Sequence, residues 1–587
     1  MEKRRLIAVS NRISRFATAV SVCAILLFVA TPVRAQPGSD PRFGAVDAAD
    51  NSAAASQIGV GWTRVRFEWS EIQPNDSGQW NDAKLEATVN TDIAAGREVI
   101  GLVLNTPPWA RKDGNTAGVP ADMELPADNP QNLWATFLRR LVTQYAGRVN
   151  HWIIWNEPDI WDAKYPGQTW GGSVDEFLKF QRLAYTVAKA ANPNAVIHLA
   201  GFTYWWDVNY NRIPFFQRFL DALKNDPNAA ANNYYFDVVT VHQYFRTDMI
   251  YDLTAWHHTM MRAYGFDKPV WLVETNAAPS LDPTWPANGA QFQITLDEQA
   301  AFIVQAFAMG IAAGAERIAV YKMADTPGDK AANPEPFGLV RMDGSQRPAF
   351  KAFQIAATYL AGFRSATLDR RNEVAQVTVD RGERTTTVLW SRVTAPQKVT
   401  LGARAGSALI VDTRTGATWT QGASGGAYTL NLPGATCTQV AGGSCVIGGW
   451  PILVVEQGSG GAKPSVSQPV PQAPSPSVTS APGQAATRPI SRTATTAAPR
   501  PTSTATATLA PSPTPSPTNT STPTATPTQT PTMTPTATST ASVTPTLTPT
   551  PNRLVSRLEL DPRSGIVIAG VAAMFLVAFA LRSRRAA

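Results

Sequence analysis

The sequence predicts an α/β protein: a (β/α)8 TIM barrel over residues 41–360, followed by a small antiparallel β-sandwich over residues 366–456. Three patterns support this interpretation. Apolar segments of strand length alternate with amphipathic segments of helical period through the first region. Short alternating runs separated by turn residues fill the second region. Beyond it, large apolar side chains nearly vanish until one uncharged apolar run near the C-terminus.

The first 35 residues have the pattern of a secretory signal peptide. A basic stretch precedes an apolar run from Ala17 to Ala30, and the small-residue end at Ala35 supplies a cleavage site. The apolar run is short for a membrane span, so a retained N-terminal anchor is the alternative. Both interpretations predict that the rest of the chain is exported.

The barrel prediction rests on eight strand-like segments with amphipathic stretches between most of them. An open, doubly wound sheet is the alternative, but such a sheet usually has a glycine-rich phosphate loop after an early strand, and none is found here. In chain order the expected strands are Phe43–Val46, Thr63–Trp69, Glu98–Leu104, His151–Trp155, Val196–Ala200, Val238–His242, Val270–Val273 and Ile318–Tyr321.

The sandwich is predicted from alternating runs such as EVAQVTVD and RTTTVLWS. We expect it to pack against the barrel. It has few aromatic residues for stacking on sugars, so carbohydrate binding is the less favoured role. Of three cysteines, Cys23 lies in the signal segment, and Cys437 and Cys445 are near enough in the exported chain to favour a local disulfide. Neither CxxC nor HExxH occurs, which gives a zinc site little support.

The C-terminal part predicts attachment to a membrane. Residues 457–552 are rich in Pro, Thr and Ser and predict a disordered linker. Residues 565–581 form an uncharged apolar run that spans about 26 Å as a helix, and arginines follow at once. These features predict a transmembrane anchor with a cytoplasmic basic tail.

The formal net charge of +7 arises from the two ends of the chain. Residues 1–35 carry six basic side chains and one acidic side chain, and three arginines follow the apolar run near the C-terminus. The stretch between them is therefore close to neutral. It has no basic field to hold phosphates, so we expect no nucleic-acid partner.

Two glutamates stand at the ends of predicted strands. Glu157 follows an apolar strand in HWIIWNEPD, where Pro158 ends the strand because it has no amide hydrogen. Glu274 ends PVWLVETN, and VVTVHQY presents His242 and Tyr244 at a third strand end. Glycosidic bond cleavage needs two carboxyl groups flanking the anomeric carbon, and a barrel rim can hold both. The pattern therefore predicts a glycosidase.

The motifs WNEP, VHQY and LVETN, in that order, resemble those of the clan A glycoside hydrolases, in which the acid/base ends strand four and the nucleophile ends strand seven. Counting the expected strands gives Glu157 and Glu274 those places. TRVRFEWSEIQP, the TPPWA turn and the HxY strand are most similar to family 39, the β-xylosidases and α-L-iduronidases, or its neighbours. The resemblance implies a retaining double displacement in which Glu274 attacks and Glu157 serves as acid, then base.

The resemblance also implies roles for residues around the two glutamates. Asn156 would hydrogen-bond the sugar 2-hydroxyl, and Arg66 would steady the nucleophile. His242 and Tyr244 would line the reaction centre. Trp109, in the TPPWA turn, is interpreted as a wall of the substrate site.

The predicted eighth strand departs from the clan pattern. Where clan members commonly have a Trp as a floor for the sugar, this chain reads AVYKMAD. Tyr321 takes that place and could still stack on a sugar. The neighbouring Lys322 could pair with an acidic substrate such as a uronate, although lysines more often point to solvent.

Taken together, these observations predict a cell-surface retaining glycoside hydrolase that acts on β-linked oligo- or polysaccharides. We expect a monomer that needs no cofactor and no metal. The alternative is a surface carbohydrate-binding protein on a barrel that does not catalyse, and the presence of both glutamates argues against it. A purely structural wall protein would leave the two glutamates unexplained.

Overall fold

The computed structural model describes residues 40–112, 118–164, 167–332, 335–441 and 443–458, all within one compact unit. The predicted signal peptide, nearly all of the predicted linker and the predicted anchor at 565–581 lie outside these residues. Within the described ranges, no helix combines the length and apolar character needed to span a bilayer.

Eight parallel strands form a closed barrel, so the TIM-barrel prediction is confirmed. Each strand overlaps an expected segment. The open-sheet alternative is wrong because the last strand pairs with the first, with Phe43 opposite Ile318. The strands are β1 Phe43–Ala45, β2 Trp62–Glu68, β3 Glu98–Leu104, β4 Val149–Asn156, β5 Val196–Phe202, β6 Val238–His242, β7 Val270–Thr275 and β8 Ala315–Val320.

Helices surround the barrel. Several begin at residues whose side chains cap the first turn, as Ser173 and Thr295 do in full capping boxes. The α-helices are α1 Ser52–Gln57, α2 Trp69–Ile72, α3 Ala83–Ala94, α4 Leu133–Gln144, α5 Val174–Ala191, α6 Trp205–Asn209, α7 Phe215–Lys224, α8 Thr247–Ala263, α9 Leu296–Ala312, α10 Pro327–Ala332 and α11 Pro348–Tyr359, and the 3-10 helices are Ala48–Asn51, Pro108–Ala110 and Ala230–Tyr235.

Irregular pairing near the carboxyl ends of the strands shapes the rim of the barrel. Between β6 and β7 the register shifts after Val241, so that His242 stands opposite Glu274. Comparable shifts occur between β5 and β6 and between β7 and β8. Such irregularities change the direction of side chains. Here they bring residues of neighbouring strands towards one point inside the rim.

In the described residues after the barrel there are ten further strands, and the antiparallel sheets agree with the predicted sandwich. The larger sheet has the order β14-β13-β18-β11-β10-β9, and β12 pairs with β15. The strands are β9 Ser365–Arg370, β10 Val374–Asp380, β11 Arg384–Ser391, β12 Gln397–Gly402, β13 Ser407–Asp412, β14 Thr418–Gly422, β15 Ala427–Leu432, β16 Val440–Ala441, β17 Ser444–Cys445 and β18 Ile452–Gln457.

The sandwich packs directly on the barrel, as expected. Side chains such as Val377 and Trp390 belong to the same buried apolar cluster as the barrel core. In helix α9, Gln305 donates to the carbonyl of Gly449 at 2.9 Å. Cys437 and Cys445 form the expected disulfide.

Candidate active site

Glu157 follows β4 at a point where the backbone leaves strand geometry. Trp155 has φ 74° and Glu157 has φ 46°, both in the left-handed region. Such conformations cost a non-glycine residue about 1–3 kcal/mol and cluster at functional sites. The Glu157 N–H donates to the carbonyl of Gly201 in β5 at 3.0 Å, which holds the turn in place. As a result the Glu157 carboxyl is fully buried inside the rim.

Glu274, near the end of β7, is fully buried and held on both carboxylate oxygens. Its Oε1 forms an ion pair with Nη1 of Arg64, whose side chain is 1% exposed. Its Oε2 accepts a hydrogen bond from the Tyr244 hydroxyl. Both contacts stabilise the ionised form of the carboxyl.

His242 lies between the two glutamates. Its Nδ1 is 2.7 Å from Glu157 Oε1 and 3.6 Å from Glu274 Oε2. One carboxylate oxygen of each glutamate and one ring nitrogen of His242 all lie within 4.8 Å of one another. The second oxygen of Glu157, Oε2, is buried and has no hydrogen-bond partner among the described residues. That oxygen is therefore free to exchange a proton with a bound molecule.

The two carboxyl groups have pKa values shifted in opposite directions. Burial, assisted by the charge of Glu274, raises the pKa of Glu157 despite opposing effects of His242 and Arg64. Burial would also raise the pKa of Glu274, but the charges of Arg64 and His242 and the Tyr244 hydroxyl outweigh it, and that pKa is lowered. One group is thus favoured as an acid and the other as an anion, which is the division of roles that double displacement requires.

The expectation that Arg66 holds Glu274 is wrong, because Arg64 forms the ion pair with that carboxylate. Both side chains project from the same face of β2, since alternate residues of a strand share a face. Arg64 lies one step deeper and reaches Glu274 on β7. Arg66 instead forms an ion pair with Glu68 at the end of its own strand, with its side chain 22% exposed. Its predicted contact with substrate stays a prediction.

Tyr321 takes part in a cluster of aromatic rings that includes Tyr244, the residue whose hydroxyl contacts Glu274. Its ring centre lies 6.2 Å from that of Tyr244 and 5.5 Å from that of Phe337. The side-chain amide of Asn276 donates to the carbonyls of Tyr321 at 2.6 Å and Phe337 at 2.7 Å. Tyr321 is only 4% exposed, so most of its surface is already covered by protein. Phe337 and Asn276 are not among the site residues predicted from the sequence.

Lys322 does not offer a free charge to substrate. Its Nζ lies 2.9 Å from Asp329 Oδ2 and 3.8 Å from Asp47 Oδ2, and the side chain is 6% exposed. Two carboxylates therefore neutralise it. The structure does not support the hypothesis that Lys322 recognises a uronate.

Asn156 and Trp109 lie at the same end of the barrel. Asn156 is the last residue of β4, next to Glu157, and is 7% exposed. Trp109 lies in the short helix after β3, where its Nε1 donates to the carbonyl of Gln73 at 2.8 Å and its ring packs edge-on against Trp69. These positions suit the predicted roles in substrate binding, which stay predictions.

Gly201 provides the space for His242 and was missed by the sequence analysis. A Cβ atom at this position would lie 2.3 Å from His242 Nε2. A glycine inside a strand often marks such a close approach, and this signal was available in the segment LAGF.

Glu157, His242 and Glu274 are residue types that also bind metals, and their donor atoms are close enough to share an ion. However, the Arg64 guanidinium lies on one oxygen of Glu274, and the Tyr244 hydroxyl lies on the other. A divalent cation would therefore meet a positive charge at the same carboxylate. The contacts suit a pair of catalytic carboxyl groups better than a metal site.

Comparison with known proteins shows the fold. No protein-family model matches this sequence, and no curated protein matches it. Among solved structures, a family 39 glycoside hydrolase from the gut symbiont Bacteroides cellulosilyticus WH2 matches with a TM-score of 0.52 at 16% identity, over 71% of this chain and 81% of that chain.

Two further matches have lower TM-scores. A monomeric beta-xylosidase from Caulobacter crescentus CB15 gives 0.47 at 13% identity, over 71% of this chain and 97% of that chain. The GH39 enzyme from Xanthomonas axonopodis pv. citri gives 0.46 at 13% identity, over 72% and 95%. The predicted resemblance to a family 39 enzyme is thus confirmed at the level of the fold.

Proposed function

We propose that this chain is a retaining glycoside hydrolase in which Glu157 is the acid/base and Glu274 the nucleophile. The observation that carries the proposal is a pair of buried carboxyl groups with oxygens within 4.8 Å and pKa values shifted in opposite directions. Carboxyl groups are about 5–5.5 Å apart in retaining enzymes and about 6.5–9.5 Å apart in inverting ones. The short separation favours direct attack by Glu274 over attack by an intervening water.

In the first step a carboxylate oxygen of Glu274 forms a bond to the anomeric carbon. The bond from that carbon to the leaving oxygen breaks, and Glu157 donates its proton to this oxygen. Burial raises the pKa of the Tyr244 hydroxyl far above its usual value, so this hydroxyl stays protonated and continues to donate to Glu274. Arg64 holds the carboxylate in position for attack.

In the second step Glu157 acts as a base. Once Glu274 is esterified, its negative charge no longer raises the pKa of Glu157. The ionised Glu157 removes a proton from a water molecule, which attacks the anomeric carbon and releases Glu274. The sugar leaves with its original anomeric configuration. We propose β-linked oligo- or polysaccharides as substrates, bound with the help of Asn156, Arg66, Trp109 and Tyr321.

The test is hydrolysis of a panel of aryl β-glycosides by the full-length chain and by Glu157→Gln and Glu274→Gln variants. Glu274→Gln should abolish turnover on every substrate. Glu157→Gln should lose about 10²–10⁴-fold on poor leaving groups, which need a proton, and much less on dinitrophenyl glycosides, which do not. Glu98→Gln is the matched control, because Glu98 lies at the opposite end of the barrel strands.

A loss of activity in Glu157→Gln that depends on the leaving group indicates that the proton donor is missing. An equal loss on all substrates would indicate general damage to the fold. If the folded wild-type chain binds oligosaccharides but cleaves neither them nor the aryl panel, the proposal is wrong, and a non-catalytic carbohydrate-binding protein becomes the better description.

We also propose that the chain is exported and anchored at the cell surface. The segment at 1–35, the apolar run at 565–581 with its following arginines, and the disulfide between Cys437 and Cys445 support this location. Protease treatment of intact cells should remove the barrel, and deletion of residues 565–587 should release it into the medium. Protection from protease in intact cells would contradict the proposal.

A further inference from the structure

Arg246 lies at the rim of the barrel, four residues after the end of β6 and two residues after Tyr244. The carbon at the centre of its guanidinium is 5.2 Å from the ring centre of Trp205, the first residue of α6. Its Nε is buried and has no hydrogen-bond partner among the residues that the structure describes. No acceptor or carboxylate in the described part of the chain pairs with this guanidinium.

An arginine in this condition requires a physical explanation. Burying N–H donors without acceptors costs free energy, and native proteins satisfy most such groups. Burial lowers the pKa of Arg246, and no anion in the described ranges opposes that effect. Three basic side chains near the two glutamates differ from it, because Arg64, Arg66 and Lys322 each have a carboxylate partner.

The residues around Arg246 hold the Trp205 ring in place and do not neutralise the charge of the guanidinium. Trp205 Nε1 donates to Gln243 Oε1 at 3.1 Å, and Gln243 Nε2 donates to the carbonyl of Tyr244 at 2.9 Å. The indole is thus tied to the same residue whose hydroxyl contacts the nucleophile. A guanidinium held against an indole face presents its remaining N–H groups in one plane. Their spacing allows two parallel hydrogen bonds to the oxygens of a carboxylate or a sulfate.

We propose that Arg246 binds an anionic substituent, a carboxylate or a sulfate ester, on the sugar that occupies the leaving-group side of the cleft. This inference rests on the proposed function and narrows its substrates to acidic glycans. The leaving group lies on the side of the cleft where Glu157 can donate its proton. Glu157 is next to β5, because its N–H donates to the carbonyl of Gly201. Trp205 and Arg246 follow β5 and β6, whereas Tyr321 and Phe337 lie on the β8 side.

The test compares three β-linked disaccharides that differ only at C6 of the reducing-end ring. This carbon carries a carboxylate in a glucuronic acid ring, a hydroxymethyl group in a glucose ring, or a sulfate ester in a glucose 6-sulfate ring. The non-reducing sugar is the one preferred in the aryl panel. The full-length wild-type chain should cleave one or both acidic disaccharides with a kcat/KM about ten- to hundredfold above that of the neutral one. The better acidic substrate identifies the anion.

Arg246→Gln should bring the ratio of acidic to neutral kcat/KM close to one, and Arg246→Lys should retain part of the preference. Arg212→Gln is the matched control. Arg212 also lies over a tryptophan, 4.0 Å from the ring centre of Trp161, but it is paired with Asp207. This variant should keep the wild-type ratio.

The inference is overturned if the wild-type chain shows no preference for either anion, or if Arg246→Gln keeps the preference. Its failure can be distinguished from failure of the proposed function. If the chain hydrolyses the neutral disaccharide without preference, only the role of Arg246 is wrong. If it hydrolyses nothing, calorimetric Kd values for the same three disaccharides still test Arg246, because the same ratio is expected in binding.

Discussion

Removal of the Arg64 guanidinium tests how the chain keeps Glu274 ionised inside the barrel. The two side chains are 1% and 0% exposed, so Arg64→Gln leaves a buried carboxylate without its strongest charge partner. Breaking a buried ion pair from one side costs about 3–5 kcal/mol of unfolding free energy. The pKa of Glu274 should also rise, because the effect of burial then meets less opposition.

The pH dependence of kcat/KM on an aryl glycoside provides the assay, and urea unfolding measures stability. The acidic limb of this profile reports ionisation of the nucleophile in the free enzyme. In Arg64→Gln the limb should move to higher pH, because the pKa of Glu274 has risen. Arg64→Lys keeps a positive charge and should give a smaller movement. It also provides a folded comparison if Arg64→Gln is too unstable to assay.

Arg66→Gln is the matched control, since it makes the same change on the same face of the same strand. Its partner is Glu68, and the two side chains are 22% and 8% exposed. We expect a loss of about 0–1 kcal/mol and an acidic limb that stays in place. An unchanged acidic limb in the folded Arg64 variants, or a larger movement in Arg66→Gln, would contradict the assigned role of Arg64. A lower rate alone would not distinguish them, because Arg66 is also a predicted substrate contact.

Three further changes have defined outcomes. Gly201→Ala places a Cβ 2.3 Å from His242 Nε2, and the displaced ring should lower kcat/KM by about a hundredfold while circular dichroism stays native. Burial raises the pKa of Asp159 to about 7 from 3.8, so the contribution of this carboxyl to the unfolding free energy should fall as pH rises between these values, and Asp159→Asn should remove that contribution. Burial lowers the pKa of His151 to about 4 from 6.5, beside the buried His198, so the contribution of this ring to the unfolding free energy should fall as pH drops through this interval, opposite in sign to that of Asp159. The difference in unfolding free energy between wild type and His151→Gln should therefore change with pH over this interval, and a constant difference would contradict the prediction.

The sequence predicted the barrel well because local patterns determine its elements. Eight apolar runs of strand length gave the eight strands, and Pro158 marked the end of β4. Glu157 and Glu274 could be chosen because the carboxyl ends of all the strands lie on one rim. The chain ends could be interpreted from composition alone, and those interpretations stay predictions.

The sequence could not predict how deep in the barrel each side chain lies or which residue it contacts. Alternation assigns Arg64 and Arg66 to the same face, but it does not show which of them meets a carboxylate several strands away. Phe337 was missed because a loop far along the chain brings it to Tyr244. Arg246 was missed because its distinguishing property is a lack of partners among the described residues, which only coordinates can show.

Contacts that the sequence does not show also explain why the pKa values of the two glutamates in one site are shifted in opposite directions. Both follow apolar strands, and both are fully buried, so burial alone would raise the pKa of each. The difference arises because Glu274 contacts Arg64 and Tyr244, whereas among the described residues the Glu157 carboxyl contacts only the shared His242, and its second oxygen has no partner there. These partners come from β2 and β6, and the register shift after Val241 sets His242 opposite Glu274. The opposite pKa shifts therefore depend on the two side chains that, of the two glutamates, contact only Glu274, and the charge of Arg64 is the part that a single substitution can remove.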